Sequence, residues 1–277
     1  MPVGIHRHFK RFIKSLAKRV LPSHLHIAES ASKDQISEIV RLFKPQHTGL
    51  DLVRIGGDGD GGYLVPDDFK GIKYCFSPGV STIANFEDQL AQDYGIKSFL
   101  ADASVDKPPL DNEFFDFQKK FLGTQDDDSH IKLSSWMDKK LPKSFNDDLL
   151  LQMDIEGAEF DVLIESSIET LRKFRIMVIE FHSMHMIFGA CSSQLLKPLM
   201  EKLSSDFVVA HIHPNNCCGI ASFKGIEVQP VFEVTFLRKD RLKKTGRRKE
   251  ISLPHPLDQK NVSAHKEIIM PDIWFKD

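Results

Sequence analysis

The stretch LLLQMDIEGAEF, residues 149–160, carries the strongest indication of the fold. Its apolar run Leu149–Met153 is typical of a short strand that is buried on both faces of a parallel sheet. An acidic turn containing Gly157 follows, and the apolar spacing after it predicts a helix over residues 160–174. A strand, a turn and a helix in this order form the repeating unit of an α/β protein.

The same alternation extends along most of the chain. Further buried strands are predicted at residues 72–76, 97–100, 176–181, 207–212 and 231–237, and helices at 33–44, 84–94 and 192–204. Residues 114–122 are ambiguous, although alternation around Phe115 and Phe117 favours an extended segment over a helix. These elements predict a Rossmann-like α/β fold with a doubly wound, mostly parallel sheet.

Basic segments flank this predicted domain. The first twenty residues hold six Lys or Arg residues and no acidic residue, with apolar residues at helical spacing. We therefore expect a basic amphipathic helical extension over residues 1–48 and a Rossmann-like domain over residues 49–277. The extension either packs on the domain or makes a peripheral contact with an anionic membrane surface. Residues 238–249 hold eight basic residues, either as a solvated loop or as a site for a polyanion.

Composition narrows the class of protein. The 277 residues are 41% hydrophobic with a formal net charge of -2, which fits one large domain and argues against nucleic-acid binding by bulk charge. No apolar run approaches the roughly 20 residues that span a bilayer. There are four cysteines, and we expect the adjacent pair Cys217 and Cys218 not to bond with each other. A reducing, cytoplasmic location is the resulting expectation, with the N-terminal helix as a contact to the inner face of the membrane.

A nucleoside site is predicted where the first strong strand ends. The turn after residues 72–76 contains Gly79, which would let the backbone approach a ligand, and the helix after it would offer free N–H groups. Asp102 follows the next strand, where a carboxylate accepts hydrogen bonds from ribose hydroxyls. The turn lacks the Gly-x-Gly-x-x-Gly pattern of dinucleotide sites, so a phosphate-free nucleoside such as S-adenosylmethionine fits better. The alternative is a plain strand–turn–helix with a surface aspartate.

Three later strands bring acids or imidazoles to the same edge of the sheet. Asp154 and Glu156 follow the first, Glu180 and His182 end the second, and His213 closes the third. Crowded buried charges are costly unless a ligand or partner compensates them, so these residues are site candidates. A zinc site is an alternative, with His211, His213, Cys217 and Cys218 as its candidate ligands. We disfavour it because side chains so close on a strand should diverge to opposite faces.

The combined motifs resemble the FkbM family of methyltransferases. The resemblance rests on Asp154-x-Glu156-Gly157, on Glu180-x-His182, and on Ser77-Pro78-Gly79 with Phe86-Glu87 and Asp60-Gly61-Gly62-Tyr63. It covers roughly residues 53–237 and departs from the family's commoner Asp-x-Gly-x-Asn-x-Gly form. It implies a class I methyltransferase sheet and S-adenosylmethionine as cofactor, bound by Ser77, Gly79, Ser81, Glu87, Asp102 and Asp60. It further implies substrate contacts from Glu180, His213, Asn215 and Asn216.

The family resemblance implies methyl transfer to oxygen on a sugar or small molecule. A hydroxyl is a weak nucleophile, so a general base should assist the displacement. His182 is the first candidate, because an imidazole titrates near neutrality, and Asp154 is the second, as base or as orienting group. Asp154 and Glu156 also suit a divalent cation that binds adjacent hydroxyls. The competing functions are a nucleotide-dependent oxidoreductase and a non-catalytic docking module.

Overall fold

The computed structural model describes residues 28–244 and 251–276. In chain order the strands are β1 (Leu52–Ile55), β2 (Tyr63–Pro66), β3 (Tyr74–Pro78), β4 (Lys97–Ala101), β5 (Phe115–Gln118), β6 (Phe121–Gly123), β7 (His130–Lys132), β8 (Leu149–Met153), β9 (Phe174–Phe181), β10 (Phe207–Pro214), β11 (Ala221–Phe223), β12 (Ile226–Val228) and β13 (Phe232–Arg238). The helices are α1 (Lys33–Leu42), α2 (Asn85–Tyr94), α3 (Leu133–Lys140), α4 (Glu159–Glu165), α5 (Ile168–Leu171) and α6 (Ala190–Asp206).

A seven-stranded sheet in the order β10-β13-β9-β8-β3-β4-β5 forms the centre of the fold. Only β13 runs antiparallel to its neighbours, between β9 and β10, while the other strand pairs are parallel. Strands β8, β9 and β10 are buried along their whole length, which explains their nearly unbroken apolar sequences. The predicted Rossmann-like, mostly parallel α/β sheet is confirmed. The order reverses at β3, and ligands in open α/β sheets bind beside such a switch point.

The helix predicted over residues 160–174 is wrong in its length. Helix α4 ends at Glu165, Ser166 is extended, and the Ser167 side chain caps a separate short helix by accepting a hydrogen bond from the N–H of Thr170. A capping serine competes with helix continuation by supplying its own backbone partner. Phe174 then begins β9. Residues 114–122, by contrast, contain β5 and part of β6, as their alternation favoured.

A hairpin of β1 and β2 encloses the glycine-rich stretch and lies over one face of the sheet. The Arg54 guanidinium donates hydrogen bonds to the carbonyl oxygens of Gly57 and Gly59, at 2.6 and 2.8 Å. A side chain at Gly56 would place its Cβ 2.2 Å from the carbonyl oxygen of Gly61, so the turn tolerates only glycine there. The hairpin is tied to the sheet where the Thr235 hydroxyl donates to the Leu64 carbonyl at 2.7 Å.

The C-terminal segment, residues 251–276, packs along the opposite end of the sheet from β5. Trp274 is fully buried, with its ring centroid 6.0 Å from Phe43 and 5.2 Å from Phe232. Nearer the carboxyl ends of the strands, the Asn216 side chain donates to the Val262 carbonyl and accepts from its N–H, at 2.9 and 2.7 Å. These contacts make the segment part of the domain even though it has little regular structure.

Three basic residues in the described part of the C-terminal run are paired with the domain body. Arg241 makes two hydrogen bonds to Asp68, at 2.7 and 2.9 Å, and Arg238 contacts Asp148 at 2.7 Å. The Lys239 ammonium donates to the Ser204 carbonyl at 2.6 Å. Neither a solvated loop nor a polyanion site describes these three residues, since their charges are already engaged. Residues 245–250 and the predicted N-terminal helix, residues 1–27, lie outside the described residues.

Two further observations concern the cysteines and the membrane. Cys217 and Cys218 form a disulfide, so the expectation that adjacent cysteines would stay apart is wrong. The turn that follows β10 accommodates this linkage, and the argument for a reducing compartment loses that support. Among the described helices, none combines the length and apolar character needed to cross a bilayer.

Candidate active site

A cavity of about 690 Å³ opens at the carboxyl ends of β3, β4 and β8. It lies where the order of strands reverses, which is the position expected for a ligand in this fold. Of the predicted site residues, those that line it are Asp60, Gly79, Ser81, Glu87, Asp102, Asp154 and Glu156. The sequence therefore located most of the predicted cofactor residues in one place.

Gly79 has a packing role that the sequence did not predict. It has φ +88°, and a Cβ there would lie 1.5 Å from the carbonyl oxygen of Asp154. The glycine is required because the turn after β3 packs directly against the end of β8. Gly79 also lines the cavity, so its predicted contact with a ligand stays a prediction.

Asp102 lies at the end of β4 and is only 4% exposed. One carboxylate oxygen accepts a hydrogen bond from the Ser81 N–H at 2.8 Å, and the other accepts from the N–H and hydroxyl of Ser104, at 2.7 and 2.6 Å. A carboxylate offers about four acceptor positions. These bonds fix the orientation of the side chain and leave acceptor capacity for a ribose hydroxyl.

The start of α2 faces the same cavity. No side chain in the described chain caps its first N–H groups, and Ala84 occupies the capping position. Uncapped N–H groups at a helix start attract a carboxylate. Glu87, in the first turn, is 2% exposed, and burial raises its pKa to about 7 although a hydrogen bond from Ser77 opposes the shift. Ser77 itself is fully buried and reaches Glu87 and Gln152 rather than the cavity.

His182 lies beside the acidic turn after β8. Its Nδ1 is 3.1 Å from the fully buried Glu159 carboxylate, while its Nε2 is 3.8 Å from Asp154 and 3.5 Å from Glu156. Glu159 also accepts hydrogen bonds from the N–H groups of Ile155 and Gly157, at 3.1 and 3.0 Å. An ionised carboxylate only accepts, so Glu159 holds the hydrogen on Nδ1 and leaves Nε2 facing Asp154 and Glu156.

Burial and charge set the protonation of this group. Burial raises the pKa of Asp154 to about 7, helped by the neighbouring carboxylates and opposed by His182. Burial opposes the charged form of His182, but the hydrogen bond to Glu159 and the charges of Asp154 and Glu156 outweigh it and raise its pKa. Burial likewise opposes ionisation of Glu159, yet bonds from His182 and the Gly157 N–H lower its pKa. Asp154 therefore keeps its proton to higher pH than an exposed aspartate does, and His182 stays charged to higher pH than an exposed imidazole does.

The predicted substrate residues lie on the far side of Asp154, outside the described lining of the cavity. Glu180 is buried, and one of its carboxylate oxygens accepts from the Asn215 amide at 2.8 Å while the other has no donor among the described residues. Asn216 holds the C-terminal segment, as described above. His213 is buried next to Asp258. Their contact with substrate stays a prediction.

Several residues of the site were not predicted. Glu159 was noted only as part of a motif, yet it holds His182. Gln152 and Tyr63 line the cavity and are hydrogen-bonded to each other at 3.3 Å. Asn261 reaches back from the C-terminal segment to Glu233, at 2.6 Å. The strand position of Gln152, two residues before Asp154 and therefore on the same face, is the signal that could have identified it.

Comparison with known proteins gives a family match over part of the chain. Residues 82–207, from the turn after β3 to the first residue of β10, match the methyltransferase FkbM domain. No curated protein matches the chain in a sequence search. Among solved structures, a human methyltransferase 10 domain containing protein is similar at 10% identity, over 82% of this chain and 94% of that one, with a TM-score of 0.31. A precorrin-6y C5,15-methyltransferase from Geobacter metallireducens GS-15 is similar at 9% identity, over 76% and 94%, with a TM-score of 0.31.

Proposed function

Because residues 82–207 match the methyltransferase FkbM domain, we propose that this protein transfers the methyl group of S-adenosylmethionine to a hydroxyl of a sugar or glycan precursor. The observation that carries the proposal is the position of Asp154. Its carboxylate lines the cavity on one side and has the Nε2 of His182 3.8 Å away on the other. A proton acceptor thus lies at the end of the cavity where an acceptor hydroxyl would meet the methyl group.

The cavity suits the methyl donor. Asp102 would accept hydrogen bonds from the ribose, and the uncapped start of α2 would face the donor's carboxylate. Leu122 and Phe121, which line the cavity opposite the turn after β3, provide apolar surface for the adenine ring. When bound, S-adenosylmethionine supplies an electrophilic methyl group on a positively charged sulfur. The protein has only to position the acceptor oxygen in line with it and remove the hydroxyl proton.

Asp154 and His182 would share that proton. Asp154 contacts the cavity directly, whereas His182, the first candidate in the sequence, lies behind it and takes up the proton through its Nε2. Glu159 stabilises the resulting imidazolium. General-base assistance of this kind contributes a factor of roughly 10²–10⁴.

A divalent cation is compatible with the same group. Ligand atoms of Asp154, Glu156 and His182 lie within 4.8 Å of one another. A cation held there would lower the pKa of a coordinated acceptor hydroxyl. Activity in the presence and absence of a chelator separates the two forms of the mechanism.

Hydrogen bonding supports a hydroxyl-rich acceptor. Asp154 Oδ1 and Glu180 Oε2 are buried oxygen acceptors without a donor among the described residues. Buried acceptors need donors, from water or from a ligand, and a polyol supplies several. The acidic surroundings also disfavour a phosphorylated or otherwise anionic group next to the reacting hydroxyl.

Ligand-induced stabilisation tests the cofactor and product analysis tests the acceptor. S-adenosylhomocysteine at 100 times its dissociation constant should stabilise the fold by about 2.7 kcal/mol in a thermal-shift experiment. A shift with a nicotinamide dinucleotide and none with S-adenosylhomocysteine would support the oxidoreductase instead. Transfer of labelled methyl groups to a panel of sugars, each beside its deoxy analogue, identifies the hydroxyl. Labelling of amines or of no small molecule contradicts an O-methyltransferase.

The peripheral membrane contact through residues 1–21 remains a separate proposal. Sedimentation with anionic liposomes, with and without these residues, tests it. Equal partitioning of the two proteins contradicts the contact.

A further inference from the structure

A second cluster of ligand-type side chains lies at β10, which β13 separates from β9 in the sheet. His211 and His213 are on β10, and Asp258 comes from the C-terminal segment. Each offers a nitrogen or oxygen atom, and these atoms all lie within 4.8 Å of one another. The cluster shares no residue with the group formed by Asp154, Glu156 and His182.

The two histidines share a face because they are two positions apart on a strand. The argument that they would diverge, used above against a zinc site, is therefore wrong for this pair, although the cysteines in that set are excluded by their disulfide. The register of β10 against β13 shifts between Val209 and His211, a β-bulge that directly precedes the first histidine. Bulges commonly re-aim side chains beside functional sites.

The distances suit a small cation. His211 Nε2 is 2.8 Å and His213 Nδ1 is 3.6 Å from the same oxygen of Asp258. Zinc bonds of about 2.0–2.1 Å in tetrahedral geometry separate ligand atoms by about 3.3 Å. The two observed distances bracket this value, so movements of about half an ångström would complete a three-ligand set.

Burial and hydrogen bonding point to a missing partner. His211 and His213 are each 4% exposed, and the Asp258 side chain is 2% exposed. Neither ring nitrogen of His213 has a hydrogen-bond partner within the described parts of the chain. A buried imidazole without a hydrogen bond is rare, and an unseen ion is one of its recognised explanations.

The charge balance also favours a cation. Glu233 is directly opposite His213 in the β10–β13 ladder, and Glu180 is directly opposite Glu233 in the next ladder. Both glutamates are buried, and like charges opposite each other in a sheet are destabilising. A divalent cation at His213 would offset part of this negative charge, and Glu233 is placed as an outer carboxylate next to a ligating histidine.

We propose that His211, His213 and Asp258 form a binding site for a first-row transition-metal dication such as Zn²⁺, which fastens the C-terminal segment to β10. Two imidazoles and one carboxylate are a ligand set that zinc uses, with a fourth position left for water. The segment reaches the methyl-transfer site through Asn261, whose amide contacts Glu233 at 2.6 Å and Asp60 at 3.4 Å. The metal would thus support the cavity wall without taking part in methyl transfer.

Metal content measured by mass spectrometry on the purified full-length chain tests the proposal. After a chelator treatment and reconstitution with Zn²⁺, the protein should bind one equivalent with an affinity that survives gel filtration. His213→Ala and Asp258→Asn should each lose that equivalent. Glu156→Gln is the matched control, because it removes a ligand of the other cluster and should retain the metal.

Thermal unfolding provides a second readout that does not require a variant to bind metal. Zn²⁺ at about 100 times its dissociation constant should raise the melting temperature of the metal-free protein by roughly 5–10 °C. Asp258→Asn should show no such rise. If Asp258→Asn fails to fold, His213→Ala takes its place in this comparison, and Glu156→Gln, which should keep the rise, excludes the other cluster.

Three results would overturn the proposal. The first is that the native protein binds no zinc and gains no stability from it, so that only a hydrogen bond joins His211 to Asp258. The second is that Glu156→Gln loses the metal while Asp258→Asn keeps it, which would place the ion at the other cluster. The third is that zinc remains bound in all three variants, which would place it elsewhere in the chain.

Discussion

The carboxyl edge of the sheet has two unlike halves. At the ends of β3 and β4 the polar groups are satisfied: Asp102 has three donors, and Ser81 and Ser104 hold it in place. Near the ends of β9 and β10 and the adjoining C-terminal segment they are not, since Glu180, His213 and Asn261 each keep a buried polar atom without a hydrogen-bond partner among the described residues. The first half is a preformed pocket, and the second is a group of acids and imidazoles that needs protons, a cation or a ligand. Asp154 lies on the boundary between them.

The substitution with the largest expected effect is at Asp154, on the boundary between the two halves. Asp154→Asn replaces the proton acceptor that lines the cavity by an amide of nearly the same size at the same position. We expect kcat to fall by roughly 10²–10⁴-fold, with S-adenosylhomocysteine affinity changed only a few-fold. Single-turnover kinetics and calorimetry measure the two quantities.

The control for this change is Asp147→Asn, an aspartate in a surface ion pair with Lys73 at 2.7 Å. It should leave kcat unaltered. A loss of less than about tenfold in Asp154→Asn, or an equal loss in binding, would show that this carboxylate does not act as the base.

The second prediction concerns Glu87, a buried acid in the half whose polar groups are hydrogen-bonded, and its effect on the free energy of unfolding. Glu87 has a pKa of about 7 in the folded protein against 4.5 in a model peptide. Between these pH values the unfolded chain has released the proton and the folded chain retains it, so stability falls as pH rises through this range. A shift of this size corresponds to roughly 3 kcal/mol.

Glu87→Gln should remove that loss. Urea unfolding at pH 5 and pH 8 measures it: the free energy of unfolding of the native protein should decline more steeply than that of the variant. Glu201→Gln, an exposed residue of α6, should behave like the native protein. Parallel declines in native and Glu87→Gln proteins would mean that Glu87 ionises normally.

The contrast between the halves also explains what the sequence could predict. Strands such as Leu149–Met153 are buried on both faces, so a nearly unbroken apolar run identified them and placed Asp154 at a strand end. The position of Asp102 followed from the same regularity. Local patterns therefore recovered the sheet and the pocket half of the site.

The other half depends on contacts between distant residues. Asp258 is 47 positions from His211 in the chain and meets it only because the C-terminal segment folds back over β10. Glu159 is 23 positions from His182 and joins it across the turn after β8. Neither pairing has a local periodicity, and the vicinal disulfide at Cys217 depends on a turn geometry that the sequence does not reveal.

The third prediction sharpens the role of the pocket half. Asp102→Ala should weaken S-adenosylhomocysteine binding by roughly 10–100-fold, the value of a hydrogen bond to a charged group, with little change in kcat at saturation. Isothermal calorimetry measures the affinity. Asp106→Ala, a neighbouring surface residue paired with Lys119, should bind like the native protein. Unchanged affinity in Asp102→Ala would mean that its acceptor positions serve only Ser81 and Ser104.

The smallest expected effect concerns the link between the halves, Glu159 and His182. Methyl transfer requires His182 in its neutral form, and Glu159 stabilises the charged form. We therefore expect kcat to rise with pH through the raised pKa of His182. Glu159→Gln removes the negative charge 3.1 Å from Nδ1, which should lower the pKa of His182 and move the rising limb to lower pH.

The pH dependence of kcat distinguishes this positioning role from a structural one. A variant that merely loosens the fold would lower kcat at every pH without moving the limb. Glu165→Gln is the matched control, because Glu165 ends the same helix and pairs with Lys132 at 2.8 Å, away from His182. A limb that stays in place in Glu159→Gln would show that the proton does not pass through His182, and Asp154 alone would then be the base. A limb that moves in both variants would trace the shift to helix α4 rather than to the Glu159 carboxylate.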